Sequence, residues 1–132
     1  MLELLSPAGS PEAVIAAVQN GADAVYLGMG DFNARRGAKN FTNEEFEKAV
    51  TYCRVRGCKV YVTLNTLVND REIGAAVDAA RLASECGADG IIIQDLGLIS
   101  AIRRALPDIP LHASTQMRST TSPVCRRRRR WG

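Results

Sequence analysis

Nine polar side chains stand where an apolar run of this chain gives way to a turn: Ser6, Asn33, Arg35, Asn65, Gln94, Asp95, His112, Ser114 and Gln116. Hydroxyl, carboxamide, carboxylate, guanidinium and imidazole groups gathered at one place would form a substrate-binding mouth, although the residues lie up to about a hundred positions apart. Taken singly, each has a bland reading. Asn65 and Asp95 suit turns or helix caps, and His112 suits a satisfied structural histidine. No Ser-His-Asp, Cys-His or metal-ligand spacing connects them, so the pattern predicts substrate binding and assigns no catalytic residue and no metal. The four cysteines, Cys53, Cys58, Cys86 and Cys125, contain no C-x-x-C pair and read as structural thiols.

The elements that must bring these residues together come from a repeated phrase. Asn20-Gly21-Ala22-Asp23 precedes the apolar run Ala24–Leu27, and Cys86-Gly87-Ala88-Asp89 precedes Gly90–Ile93. Arg56-Gly57-Cys58-Lys59 before Val60–Leu64 is a looser copy. A glycine supplies the left-handed position past a helix end, and the short apolar run after it suits a strand buried on both faces. The spacings of 36 and 30 residues between Gly21, Gly57 and Gly87 match one strand, one helix and two short loops.

Read along the chain, the pattern predicts strands at Leu2–Leu5, Ala24–Leu27, Lys59–Leu64, Gly90–Ile93 and Leu111–Ala113. Ser10 and Pro11 open the first helix, and Thr42 with Glu45 forms a capping box for the second. The third helix runs from about Asp70 to Glu85, burying Ile73, Val77, Ala80 and Leu82 or Ala83. The fourth carries Leu98, Ile99 and Ile102 and breaks at Pro107. Strands alternating with helices predict an α/β fold with parallel pairing. Two architectures share the pattern, an open doubly wound parallel sheet and a (β/α)₈ barrel. The doubly wound sheet wants a phosphate-binding glycine loop after the first strand. The best candidate, Gly28-Met29-Gly30, follows the second strand and has Asn33 at the third glycine position. Polar residues at every strand end favour the barrel, of which the chain supplies about five of eight strands.

The net charge of +3 conceals two regions. Residues 118–132 hold six arginines and no acid, leaving 11 basic residues against 14 acidic ones in residues 1–117. The larger region therefore has a net charge of −3 and no basic footprint for nucleic acid. No apolar stretch is long enough to span a bilayer and no secretory signal opens the chain, so a cytoplasmic location is expected.

The phrases Leu4-Leu5-Ser6-Pro7-Ala8-Gly9, Asn20 through Gly28, Ala38-Lys39-Asn40-Phe41-Thr42, Val60-Tyr61-Val62-Thr63-Leu64-Asn65-Thr66, Gln94-Asp95-Leu96-Gly97 and His112-Ala113-Ser114-Thr115-Gln116-Met117 run in this order along the chain. Together they resemble the peptidase U32 family of collagenase-like proteases. The resemblance spans residues 2–117 and implies a TIM-barrel-like domain. By family name it implies peptide bond hydrolysis. Other members belong to oxygen-independent hydroxylation pathways acting on tRNA, ribosomal RNA or the ubiquinone ring, so a peptide, an RNA or a quinone-type molecule is the implied substrate. Those members resemble iron–sulfur proteins whose cluster cysteines lie beyond this segment. Cys53, Cys58 and Cys86 do not match the cluster motif, and no cofactor is expected in the segment.

The resemblance stops after Met117, where the family continues with a His/Asn-containing loop and a helix ending on glycine. Written in GC-rich codons and read two bases later, residues 118–132 become a helix-compatible peptide ending on Gly, and an alanine-rich GCG tract read out of frame yields arginine. The expected organisation is thus a truncated barrel domain over 1–117 and a frameshifted, disordered Arg-rich tail over 118–132. Such a chain would be inactive whatever its parent catalyses. The competing reading is a nucleic-acid binder that works through the arginine tail.

Overall fold

A computed structural model of the chain describes residues 2–30, 32 and 40–117. Asn33, Arg35, Cys125 and the Arg-rich stretch 118–132 lie outside the described residues. Five strands alternate with four helices: β1 Leu5–Pro7, α1 Pro11–Gln19, β2 Ala24–Gly28, α2 Asn43–Val55, β3 Lys59–Leu64, α3 Ile73–Cys86, β4 Gly90–Ile93, α4 Leu96–Ala105 and β5 Leu111–Ala113. All pairings are parallel, and the sheet order is β1-β2-β3-β4-β5. A doubly wound sheet reverses its order at a switch point. Among the described residues the order does not reverse, which is the order of an arc of barrel wall and not that of the doubly wound alternative.

Strand alternation divides the side chains between two faces. Val25, Leu27, Val60, Val62, Leu64, Ile91 and Ile93 are all buried. Those of β2 and early β3 pack with Val14 of α1 and with Phe46, Val50 and Cys53 of α2. Leu64, Ile91 and Ile93 pack with Ala76 and Ala80 of α3 and with Leu98 and Ile102 of α4. The intervening residues, Tyr26, Gly28, Tyr61, Thr63, Ile92 and His112, share the opposite face and border a cavity. One face therefore carries the helices and the other is the inner, concave face.

The caps follow the sequence. Ser10 Oγ accepts from the Ala13 amide, and Thr42 and Glu45 close a reciprocal capping box. Gly21, Gly57 and Gly87 take φ of +86°, +70° and +95°, the left-handed region where a Cβ is strained. The aspartates of the repeated phrase have a role that the glycines alone did not suggest. Asp23 Oδ2 accepts from the Leu4 amide at 2.8 Å, and Asp89 Oδ2 accepts from the Val60 amide at 2.8 Å. In each copy the amide of the same aspartate donates back, Asp23 to Leu4 O at 3.0 Å and Asp89 to Val60 O at 2.8 Å. Each Gly-Ala-Asp phrase thus ends a helix and clasps the preceding strand.

Two boundaries differ from the sequence expectation. The first strand is Leu5–Pro7 and not Leu2–Leu5. Its neighbour among the described residues, β2, begins at Ala24 opposite Leu5, so residues 2–4 precede the ladder. Pro7 is tolerated there because β1 pairs on one side. Helix α3 begins at Ile73, three residues late, because Asn69 Oδ1 accepts from the amides of Arg71 and Glu72 and holds 69–72 as a turn. Its buried stripe is Ala76, Ala80 and Ala83, while Ile73 and Val77 are half-buried. Small residues on that face let α3 seat closely on the sheet, and hydrophobic size was therefore a poor guide to its inward side.

Candidate functional site

The cavity on the concave face has a volume of about 530 Å³. Its walls come from β1 to β5 and its mouth from the segments that follow the strands. Asn40 and Phe41 enter the wall because Phe41 forms a parallel bridge with Met29, and Asn40 Nδ2 donates to Gly30 O.

At the mouth, Asn65, Ser114 and Gln116 line the cavity together. The Ser114 amide donates to Ile93 O at 2.8 Å, extending the β4–β5 ladder, and its Oγ accepts from the Gln116 amide at 3.2 Å. Thr63, buried on the same face, donates its hydroxyl to Leu27 O at 3.1 Å. Ser6, Gln94 and Asp95 do not line this cavity. Asp95 is the N-cap of α4, with Oδ1 accepting from the Leu98 amide at 2.8 Å, the bland role that its position allowed.

His112 lies two residues before Ser114 along the chain and is exposed. It is the middle residue of β5, opposite Ile92, and its ring leans back toward Gly90 and Tyr61. The imidazole and phenol centroids are 4.8 Å apart with the rings inclined at 58°, within the range of favourable aromatic pairs. Tyr61 OH donates to Glu3 Oε1 at 3.2 Å, and Lys59 Nζ bonds Glu3 Oε2 at 2.8 Å. The Lys59 ammonium bond holds the Glu3 carboxyl below its usual value. The same bond raises Lys59. Burial, and then the Glu3 hydrogen bond, raise Tyr61, so the phenol stays protonated as a donor. Both charged partners are solvent-exposed, and water screens their attraction.

Glu3, Tyr26, Phe41, Lys59, Tyr61 and Thr63 fall outside the pattern of polar residues at strand ends. A signal was present. Lys59, Tyr61 and Thr63 alternate with Val60 and Val62 along an otherwise aliphatic strand, and period two places them on one face.

The three described cysteines do not line the cavity. Cys53 and Cys58 are buried thiols in the helix-packed core, and Cys86 Sγ lies 3.9 Å from Glu47 Oε1. Burial, reinforced by Cys58, pushes the Cys53 thiol up to about 12, and burial also raises Cys58 and Cys86. With two of the described thiols in the core and the third at the end of α3, these cysteines are not grouped as the ligand set of the iron–sulfur cluster that the family resemblance places beyond this segment. Among the described residues no three His, Cys, Asp or Glu side chains are grouped to hold a metal.

A sequential parallel arc with helices outside and a polar–aromatic cavity inside defines a TIM-barrel-like α/β protein. The solved structure of the U32 peptidase Mk0906 superposes on the whole chain with a TM-score of 0.78 at 17% identity, covering 56% of that protein. A 2,3-dimethylmalate lyase structure covers 96% of the chain with a TM-score of 0.63 at 14% identity and 50% of its own length. At such identities these likenesses show the fold. The family comes from sequence: the model of peptidase family U32 matches residues 9–131, and the chain belongs to that family. The match runs on into 118–131, past Met117, where the family-like phrases of the sequence end.

Its relatives carry different activities in their names. The chain is 37% identical to tRNA hydroxylation protein P1 of Bacillus subtilis over 114 residues, 86% of this chain and 27% of that protein. It is 39% identical to a 23S rRNA 5-hydroxycytidine synthase of Escherichia coli over 87% of this chain and 17% of that protein. It is 33% identical to a collagenase of Porphyromonas gingivalis over 94% of this chain and 30% of that protein. The chain thus spans under a third of the length of these relatives. Among the described residues no helix is long and apolar enough to cross a membrane.

Proposed function

We propose that this chain supplies the substrate-binding inner face of a U32-family enzyme that hydroxylates a base in RNA. The relatives' names support hydroxylation and proteolysis alike, and the observation that carries the reading is the cavity. Its volume of about 530 Å³ lies within the ~300–1,000 Å³ typical of small-molecule sites. Its walls are aromatic and aliphatic, with carboxamides at the mouth, which suits a flat ring with a hydrogen-bonding edge. The role assigned to this chain is to bind and orient the base.

Peptide hydrolysis is the second reading, favoured by the likeness to a collagenase along 94% of the chain. Acyl transfer wants a hydroxyl or thiol within reach of a base. Here the Ser114 hydroxyl accepts from the backbone, that of Thr63 donates to the backbone, and burial raises the described thiols. The test is a deletion of the gene in its host, followed by mass spectrometry of tRNA and rRNA nucleosides. We expect one pyrimidine to lose a single oxygen and to regain it on complementation. Unchanged nucleosides, together with loss of gelatin cleavage, would select the peptidase.

A further inference from the structure

Aromatic residues make up only 5% of the chain, yet three of its six Phe and Tyr side chains, Tyr26, Phe41 and Tyr61, border this one cavity with its single histidine. Strand register orders them. Tyr26 lies opposite Tyr61, and Tyr61 lies opposite Gly90, so the three share a level on the concave face. At Gly90 the row has no side chain of its own, and the His112 ring occupies the space. A Cβ on Gly90 would lie 3.0 Å from His112 Nε2, 3.1 Å from His112 Cδ2 and 3.1 Å from Pro110 O. The φ of Gly90 is not positive, so backbone conformation does not require glycine. A strand glycine without a conformational reason marks a close approach, here that of the imidazole.

We propose that Tyr61 and His112, brought together over Gly90, are the seat for a planar heteroaromatic ring of nucleobase class, with Asn65 and Gln116 facing its edge. The seat rests on the RNA reading above. Tyr61 and His112 contact the ring, and Gly90 and Glu3 are positioning residues, the first acting through the imidazole and the second through the phenol. Carboxamides offer both a donor and an acceptor, which is what a base edge requires. The same chemistry would accept a free aromatic ring such as a phenol or quinone, and the experiment separates the two sources.

One histidine gives one set of imidazole signals, so NMR on the full chain with labelled histidine reads the seat directly. Cytidine or uridine monophosphate is titrated to millimolar concentration, then 4-hydroxybenzoate, then a Gly-Pro-rich peptide. We expect a saturable upfield shift of the His112 ring signals with a nucleotide. Gly90→Ala, with its backbone spectrum preserved, should weaken that binding about tenfold or more, the scale of one lost stacking contact. Nucleotide shifts at Asn65 and Gln116 with an unmoved His112 would overturn the seat and leave the RNA reading standing. A His112 shift with 4-hydroxybenzoate alone would keep the ring seat and overturn its assignment to RNA. A response to the peptide alone, or to nothing, would overturn the seat. Should Gly90→Ala fail to fold, Tyr61→Leu serves as the second variant, and unchanged nucleotide affinity in it would equally overturn the proposal.

Discussion

Each oxygen of the Glu3 carboxylate is engaged, one by Lys59 and the other by Tyr61. The Lys59 bond is the larger cause of the lowered titration of Glu3. Lys59→Met should therefore raise the Glu3 midpoint, followed by carboxyl ¹³C NMR, more than Tyr61→Phe does. The sign for stability follows from linkage. A carboxyl depressed in the folded state stabilises above its unfolded value, and that contribution fades as pH falls through the folded value. The stability difference between wild type and Lys59→Met should thus shrink below the ordinary carboxylate range. It should shrink again at alkaline pH, above the ordinary lysine value, because the raised Lys59 loses its charge there. Urea titrations across pH measure both limbs, and a difference independent of pH would remove the ion pair from the account.

Among the elements, strands and caps were legible because each has a local cause. Thr42 and Glu45 bond each other across three residues, and Gly21, Gly57 and Gly87 each stop a helix whatever surrounds them. The start of β1 and the inward face of α3 were illegible because partners remote in sequence set them: Ala24 in the first case, the sheet behind Ala76 and Ala80 in the second. The candidate site shows the same division. Asn65, Ser114 and Gln116 follow strands and so fall at the mouth, but nothing local announces that Gly90 makes room for His112. Asp95 is the instructive case, since a cap and a ligand look alike in sequence. Asp95→Ala should cost about 1 kcal/mol of stability and leave nucleotide binding unchanged, whereas Asp95→Ser should restore most of the loss. Asp89→Ala removes the acceptor for the Val60 amide and should cost about 1–3 kcal/mol by urea denaturation, with Asp89→Asn milder.

On the scale of the molecule, the five strands form an arc whose outer members, β1 and β5, each pair on one side among the described residues. The inner strands β2, β3 and β4 carry nearly continuous burial, whereas β1 and β5 are three-residue strands with exposed positions. Opening free energies follow burial and two-sided pairing. Amide hydrogen exchange should accordingly be slowest across Val25–Leu27, Val60–Leu64 and Ile91–Ile93, and faster by orders of magnitude at Leu5, Ser6 and His112. That gradient bears on the proposed seat. Tyr61 stands on the central, most continuously buried strand and His112 on the outer strand β5, so a ring packed against both ties the weak edge to the strong centre. Nucleotide binding should therefore slow exchange at His112 and Ala113 while leaving β2 nearly unchanged. Protection that rises uniformly over all five strands would mean that the ligand stabilises the whole arc from the mouth, without bridging Tyr61 and His112.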